Sequence, residues 1–107
     1  MESKNRFKKM YLSTFYNDLN NIVNYISGEL CNPEAAASLL DTIEKRVNER
    51  MKCPQAFETS TFDKKRKFPY RKIVVKNYII YYVIYDDIVE FRRILYKRRD
   101  TKKLKWE

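Results

Sequence analysis

The spacing of apolar residues changes along the chain, and each change marks an element. Residues 6–12, RFKKMYL, mix apolar and basic positions in a short extended pattern that predicts a first strand. From there the period becomes helical: Phe15, Tyr16, Leu19, Ile22, Val23, Ile26 and Leu30 recur in steps of three and four, which is one face of a helix. Ser13 or Thr14 is placed to cap its start, and Gly28 with Cys31-Asn32-Pro33 ends it. A second helix follows at once. Asn32 is its N-cap, Pro33 suits the first helical position, and Glu34 suits the positive helix terminus. Its stripe is Ala36, Leu39, Leu40, Ile43, Val47 and Met51, closed by Lys52, Cys53 and Pro54. So short a connection predicts an antiparallel hairpin, and two one-sided stripes predict that both helices face the same sheet.

Residues 54–69 show no period and read as a long loop whose second half is basic: Lys64, Lys65, Arg66 and Lys67. Strand patterning resumes at residues 70–76, YRKIVVK, and turns at Asn77. The run YIIYYVIY at 78–85 holds eight β-formers without a charge, so it belongs in the middle of a sheet. Asp86-Asp87 turns the chain into a last strand from Ile88 to about Arg98, and residues 101–107 form a basic tail. The predicted order is β-α-α-β-β-β across one domain, residues 1–107. This is an α+β class with the helical hairpin on one face of a mainly antiparallel sheet. The helices bury one sheet face, so the arginines of the last strand are expected on the other face or its rim.

Composition narrows the chemistry. At 107 residues, 44% hydrophobic and 35% charged, the chain is long enough for one modest core and is not a disordered type. A single glycine leaves little room for phosphate-cradling loops. No apolar run approaches the ~20 residues of a membrane span, and MESKNRFKKMY lacks the apolar core of a signal peptide, so the expected address is the cytoplasm. Cys31 and Cys53 flank the second helix, which would hold them ~30 Å apart, so free thiols are expected. The chain has no histidine. That excludes Ser–His and Cys–His catalysis and histidine metal sites, and no metal or other cofactor is expected.

Charge is divided unevenly. Residues 1–63 carry 8 Lys/Arg against 9 Asp/Glu, whereas residues 64–107 carry 15 against 5. The stretch FRRILYKRRD at 91–100 concentrates the excess. Such polarity fits a polyanion or an acidic partner; the plainer alternative is a solvated basic surface.

The element order, the segment "NPEAAASLLDTIEKRV", the run "PYRKIVVKNYIIYYVIYDD" and the closing "RRILYKRRD" together resemble toxins of the RelE/ParE superfamily, the toxin halves of bacterial type II toxin–antitoxin pairs. The resemblance covers roughly residues 6–104. It implies one of two mechanisms: ribosome-dependent messenger RNA cleavage, as in RelE-like members, or poisoning of DNA gyrase without nuclease activity, as in ParE-like members. It also implies a cognate antitoxin with an acidic, partly disordered segment, and a ribosomal or gyrase target with no membrane. The expectation taken forward is a growth-arresting toxin that cleaves mRNA as a metal-independent endoribonuclease. Gyrase poisoning is its alternative, and a non-toxic basic nucleic-acid-binding domain is the second.

RNA cleavage at the 2′-hydroxyl needs fixed cations around the phosphate and a proton carrier. The candidate catalytic residues are Tyr96, Arg93, Arg71 and Lys72. Candidates for holding RNA or antitoxin are Lys64, Lys65, Arg66, Lys67, Lys97, Arg98 and Arg99. Arg93 has a competing structural reading, as partner of Asp100 or of a helix carboxylate. Two features favour the ParE-like alternative: Ile79 stands where RelE-like members usually carry an arginine, and the ending resembles the ParE-like one. A regular strand would also send residues 93 and 96 to opposite faces.

Overall fold

The computed structural model describes residues 7–56 and 68–98. Its elements are β1 (Lys8–Tyr11), α1 (Ser13–Asn24), a π-helical turn (Tyr25–Glu29), α2 (Pro33–Met51), β2 (Arg71–Val75), β3 (Tyr78–Tyr85) and β4 (Ile88–Tyr96). The four strands form one sheet in the order β1-β4-β3-β2. β2–β3 and β3–β4 are antiparallel hairpins, while β1 lies parallel to β4, so the sheet is mixed. This is the α+β, β-α-α-β-β-β architecture expected from the patterning. The charge-free run of β3 does sit inside the sheet, between β2 and β4.

Local chemistry explains most boundaries. Asn32 caps α2, its Oδ1 accepting from the Ala35 N–H at 3.1 Å, and Pro33 opens the helix. Both hairpin turns pass through the left-handed region at a non-glycine residue, Lys76 (φ 55°) and Asp86 (φ 54°). α1 departs from expectation at each end. Leu12 occupies its cap position without a side-chain bond, and Thr14 is used elsewhere. The helix does not stop at Gly28 but loosens into the π-turn, and the reversal is made by Cys31 at φ 50°.

One core lies between the helices and the sheet. Phe15 of α1 and Leu39, Ile43, Val47 and Met51 of α2 pack on Ile73, Val75, Ile80, Tyr82, Val89, Phe91 and Ile94. A smaller cluster of Tyr70, Tyr81, Val83 and Leu95 occupies the opposite sheet face. Three residues assigned to the helical stripes are exposed instead: Tyr16, Leu30 and Leu40. Both cysteines are free and exposed. No described helix is long and apolar enough to cross a membrane.

The two sheet edges are finished differently. At β2, α2 arginines take the outward carbonyls: Arg46 donates to Val74 O at 3.1 Å, and Arg50 to Lys72 O at 3.0 Å. At the other edge β1 is short, and α1 continues in its place beside β4.

Candidate functional site

The last strand holds an irregularity that decides where its arginines go. Tyr82 pairs with Phe91 and Tyr81 with Arg93, so β4 carries one extra residue at Arg92. The core-facing positions of β4 therefore run Val89, Phe91, Ile94. The two arginines fall between them and take different partners.

Arg92 lies with the polar groups of the outer face. Its guanidinium meets Glu90 at 2.9–3.0 Å and the Tyr70 hydroxyl at 3.3 Å, and it sits 5.7 Å from the centre of the Tyr70 ring. Burial works against its charge, but the Tyr70 and Glu90 contacts outweigh this and raise its pKa. The hydroxyl of Tyr85 donates to the second oxygen of Glu90 at 3.2 Å. Glu90 is the buried charged residue of the described core, at 6% exposure, and this network is what makes it tolerable there.

Arg93 is held from α1. Asp18 takes it in a fork, Nε at 2.7 Å and Nη2 at 2.9 Å, and also accepts the Ile94 N–H at 3.1 Å. The Leu12 N–H bonds to Phe91 O, and the Thr14 hydroxyl donates to Arg92 O at 2.8 Å. Thus Thr14 and Asp18 supply to β4 the hydrogen bonds that a longer β1 would have made. The partner of Arg93 is a helix carboxylate; Asp100 lies outside the described residues.

Tyr96 ends the strand on the helix-facing side. Register is regular from Tyr81–Arg93 to Tyr78–Tyr96, so the bulge precedes Arg93 and does nothing to reunite residues 93 and 96 on one face. The Tyr96 ring meets Tyr78 edge-on, centroids 5.8 Å apart. Together with Asn21, Ile22, Tyr25, Leu30 and Asn77 these rings line an open cavity of about 620 Å³ between the end of α1 and the β2–β3 turn.

Arg71 begins β2 opposite Tyr82 and donates to Gln55 O at 3.3 Å. Its register partner lies four residues along β3 from that of Tyr96, about 13 Å, and the two strands are two spacings apart, about 10 Å. Lys72, Lys97 and Arg98 are exposed. The described geometry thus does not bring Tyr96, Arg93 and Arg71 around one phosphate-sized space. Lys64, Lys65, Arg66, Lys67 and Arg99 lie outside the described residues.

Every described tyrosine with a perturbed pKa (Tyr11, Tyr78, Tyr81, Tyr82 and Tyr85) is pushed upward, and burial is the leading cause. Tyr82 is raised although Arg50, donating to its hydroxyl at 2.9 Å, pulls the other way.

Asp18, Tyr25, Tyr78, Asn21 and Asn77 are not among the site candidates that patterning offers, and Asn77 is read there only as a turn. Asp18 was visible as the lone carboxylate of α1, next to the apolar position Leu19. Tyr25 stands outside the apolar stripe of its helix, and an unburied aromatic is a signal of its own.

The family model for the ParE toxin of the type II toxin–antitoxin system parDE matches residues 10–101. A solved chain from the chromosomal ParDE toxin–antitoxin system of P. aeruginosa superimposes with a TM-score of 0.68 at 14% identity, covering 86% of this chain and 97% of that one. At that identity the likeness speaks for the fold. No curated protein matches. With 92 of its 107 residues inside the matched span, the chain belongs to the ParE toxin family of type II toxin–antitoxin systems.

Proposed function

We propose that this chain arrests growth as a ParE-like poison of DNA gyrase, acting through surface contacts and not by cleaving RNA. The observation that carries the reading is the Asp18–Arg93 fork. Arg93, one of the candidate catalytic arginines, is engaged by a helix carboxylate, on the opposite sheet face from Tyr96. Family membership supports the same choice. A protein–protein inhibitor needs no proton carrier, which suits a chain without histidine. The exposed cations Lys97 and Arg98 then serve docking, and an acidic antitoxin segment that covers them offsets their mutual repulsion.

Induction of the chain without antitoxin, with translation and DNA integrity followed in parallel, tests this. Double-strand breaks and an SOS response, with protein synthesis initially spared, are the expected result. Early loss of protein synthesis over intact DNA would return the chain to ribosome-dependent mRNA cleavage.

A further inference from the structure

Six of the nine tyrosines divide by what their hydroxyls do. Those of Tyr70, Tyr82 and Tyr85 are engaged: with Arg92, with Arg50 and Pro54 O, and with Glu90. Those of Tyr25, Tyr78 and Tyr96 make no hydrogen bond to another described residue, and all three residues line the 620 Å³ cavity. The side chains of Asn21 and Asn77, which also line it, are equally without a hydrogen bond to another described residue. The phenols are near enough to feel one another: burial first, then Tyr96 and Tyr25, raise the pKa of Tyr78.

The cavity is within the roughly 300–1,000 Å³ usual for small-ligand sites. Tyr25 and Tyr96 are 54% and 47% exposed, so ring faces are available to a planar ligand. Each amide offers both donors and an acceptor. Lys97 and Arg98 follow Tyr96 directly and are exposed, while the lining itself carries no charge. Ring faces, amides and phenols without partners, and cations at one rim are the combination that seats an unpaired base and its phosphate. A peptide's apolar anchor would fill the space but leave five hydrogen-bonding side chains to water.

From this placement we infer that the Tyr25–Tyr78–Tyr96 cavity binds an unpaired nucleobase of a single strand, with Asn21 and Asn77 on its edge and Lys97 and Arg98 on the adjoining phosphates. The chemistry is common to DNA and RNA. A gyrase poison could meet it in unstacked DNA, but the site stands apart from that activity and its test contains no gyrase.

The test is fluorescence anisotropy of the purified chain with short labelled single strands of DNA and of RNA, a duplex of equal length, and an acidic peptide. Single strands are expected to bind more tightly than duplex. Tyr25→Ala and Tyr96→Ala should each weaken that binding about ten-fold, and Asn21→Ala about three-fold. Tyr96→Leu keeps the apolar bulk without a ring face and should lose affinity as well, and circular dichroism checks that each variant is folded. Binding of DNA, of RNA or of both supports the site and identifies its source. Equal binding of duplex, or tyrosine variants that bind unchanged, would overturn it in favour of charge alone. Tighter, tyrosine-dependent binding of the acidic peptide would overturn it in favour of a protein partner.

Discussion

The middle and the end of β4 carry the same kinds of residue and use them in opposite ways. At Arg92 and Arg93 each guanidinium meets a carboxylate at close range, Glu90 or Asp18, and side-chain exposure is 16% and 19%. Three to five residues later, Tyr96, Lys97 and Arg98 face solvent. The concentration of cations in FRRILYKRRD is therefore two populations. One is paired, Arg93 tying α1 to β4 and Arg92 neutralising Glu90 on the outer face; the other is exposed. The backbone makes the division: the bulge sets Arg92 against Glu90 of its own strand and Arg93 against Asp18 of α1, whereas Lys97 and Arg98 lie past the last residue paired with β3.

The sharpest way to break this comparison is to remove Asp18. Asp18→Ala removes the two-pronged acceptor of a partly buried guanidinium and the acceptor of the Ile94 N–H, at the point where α1 substitutes for a strand. We expect a loss of about 3 kcal/mol in unfolding free energy, read by urea denaturation. Arg93→Met with Asp18→Leu should recover much of it, because apolar packing replaces an ion pair whose desolvation was costly. If Asp18→Ala unfolds at the wild-type urea concentration, the fork is a surface contact, and Arg93 becomes available again for chemistry.

Whether the comparison could have been read from sequence differs by element. The charge-free composition of β3 is enough to centre it, and Asn32-Pro33 is enough to start α2, because both signals are local. The bulge is not local. Two consecutive arginines fit a regular strand as well as an irregular one, and only the pairing with Tyr81 and Tyr82 separates them. Leu40 and Leu30 show the same limit from the other side. Their spacing fits the stripe, yet both stay exposed, because a period marks a face and not which of its positions another element covers. Tyr96 could be placed at a strand end, yet Asn21 and Tyr25 reach its cavity from the other end of the chain, through the helix layer.

A smaller effect sharpens the comparison at the open end. The pKa of Tyr78 is raised above its ordinary 10.0 by burial and by Tyr96 and Tyr25. A group whose folded pKa lies above the unfolded value lends stability that is complete below pH 10 and is lost as pH rises through the folded pKa. Stability should therefore fall from pH 10 upward, and Tyr78→Phe should make that fall shallower while changing little at pH 7. Urea denaturation along a pH series measures it. A wild-type slope in Tyr78→Phe would mean that neither burial nor the neighbouring phenols shift Tyr78.

The smallest effect on stability should come from Lys97 and Arg98. Both are exposed and follow the last paired residue of β4, so Lys97→Ala with Arg98→Ala should shift unfolding by less than about 0.5 kcal/mol. Their role would appear only with a polyanion present. Affinity for an acidic antitoxin segment or a nucleic-acid strand should fall, and its dependence on salt should become shallower, because fewer counterions are displaced. Arg92→Met, compared among folded molecules, should leave that salt dependence as it was, since Glu90 already neutralises the charge it removes. Equal changes in salt dependence for the two variants would erase the division of β4, and all its cations would then act as one surface.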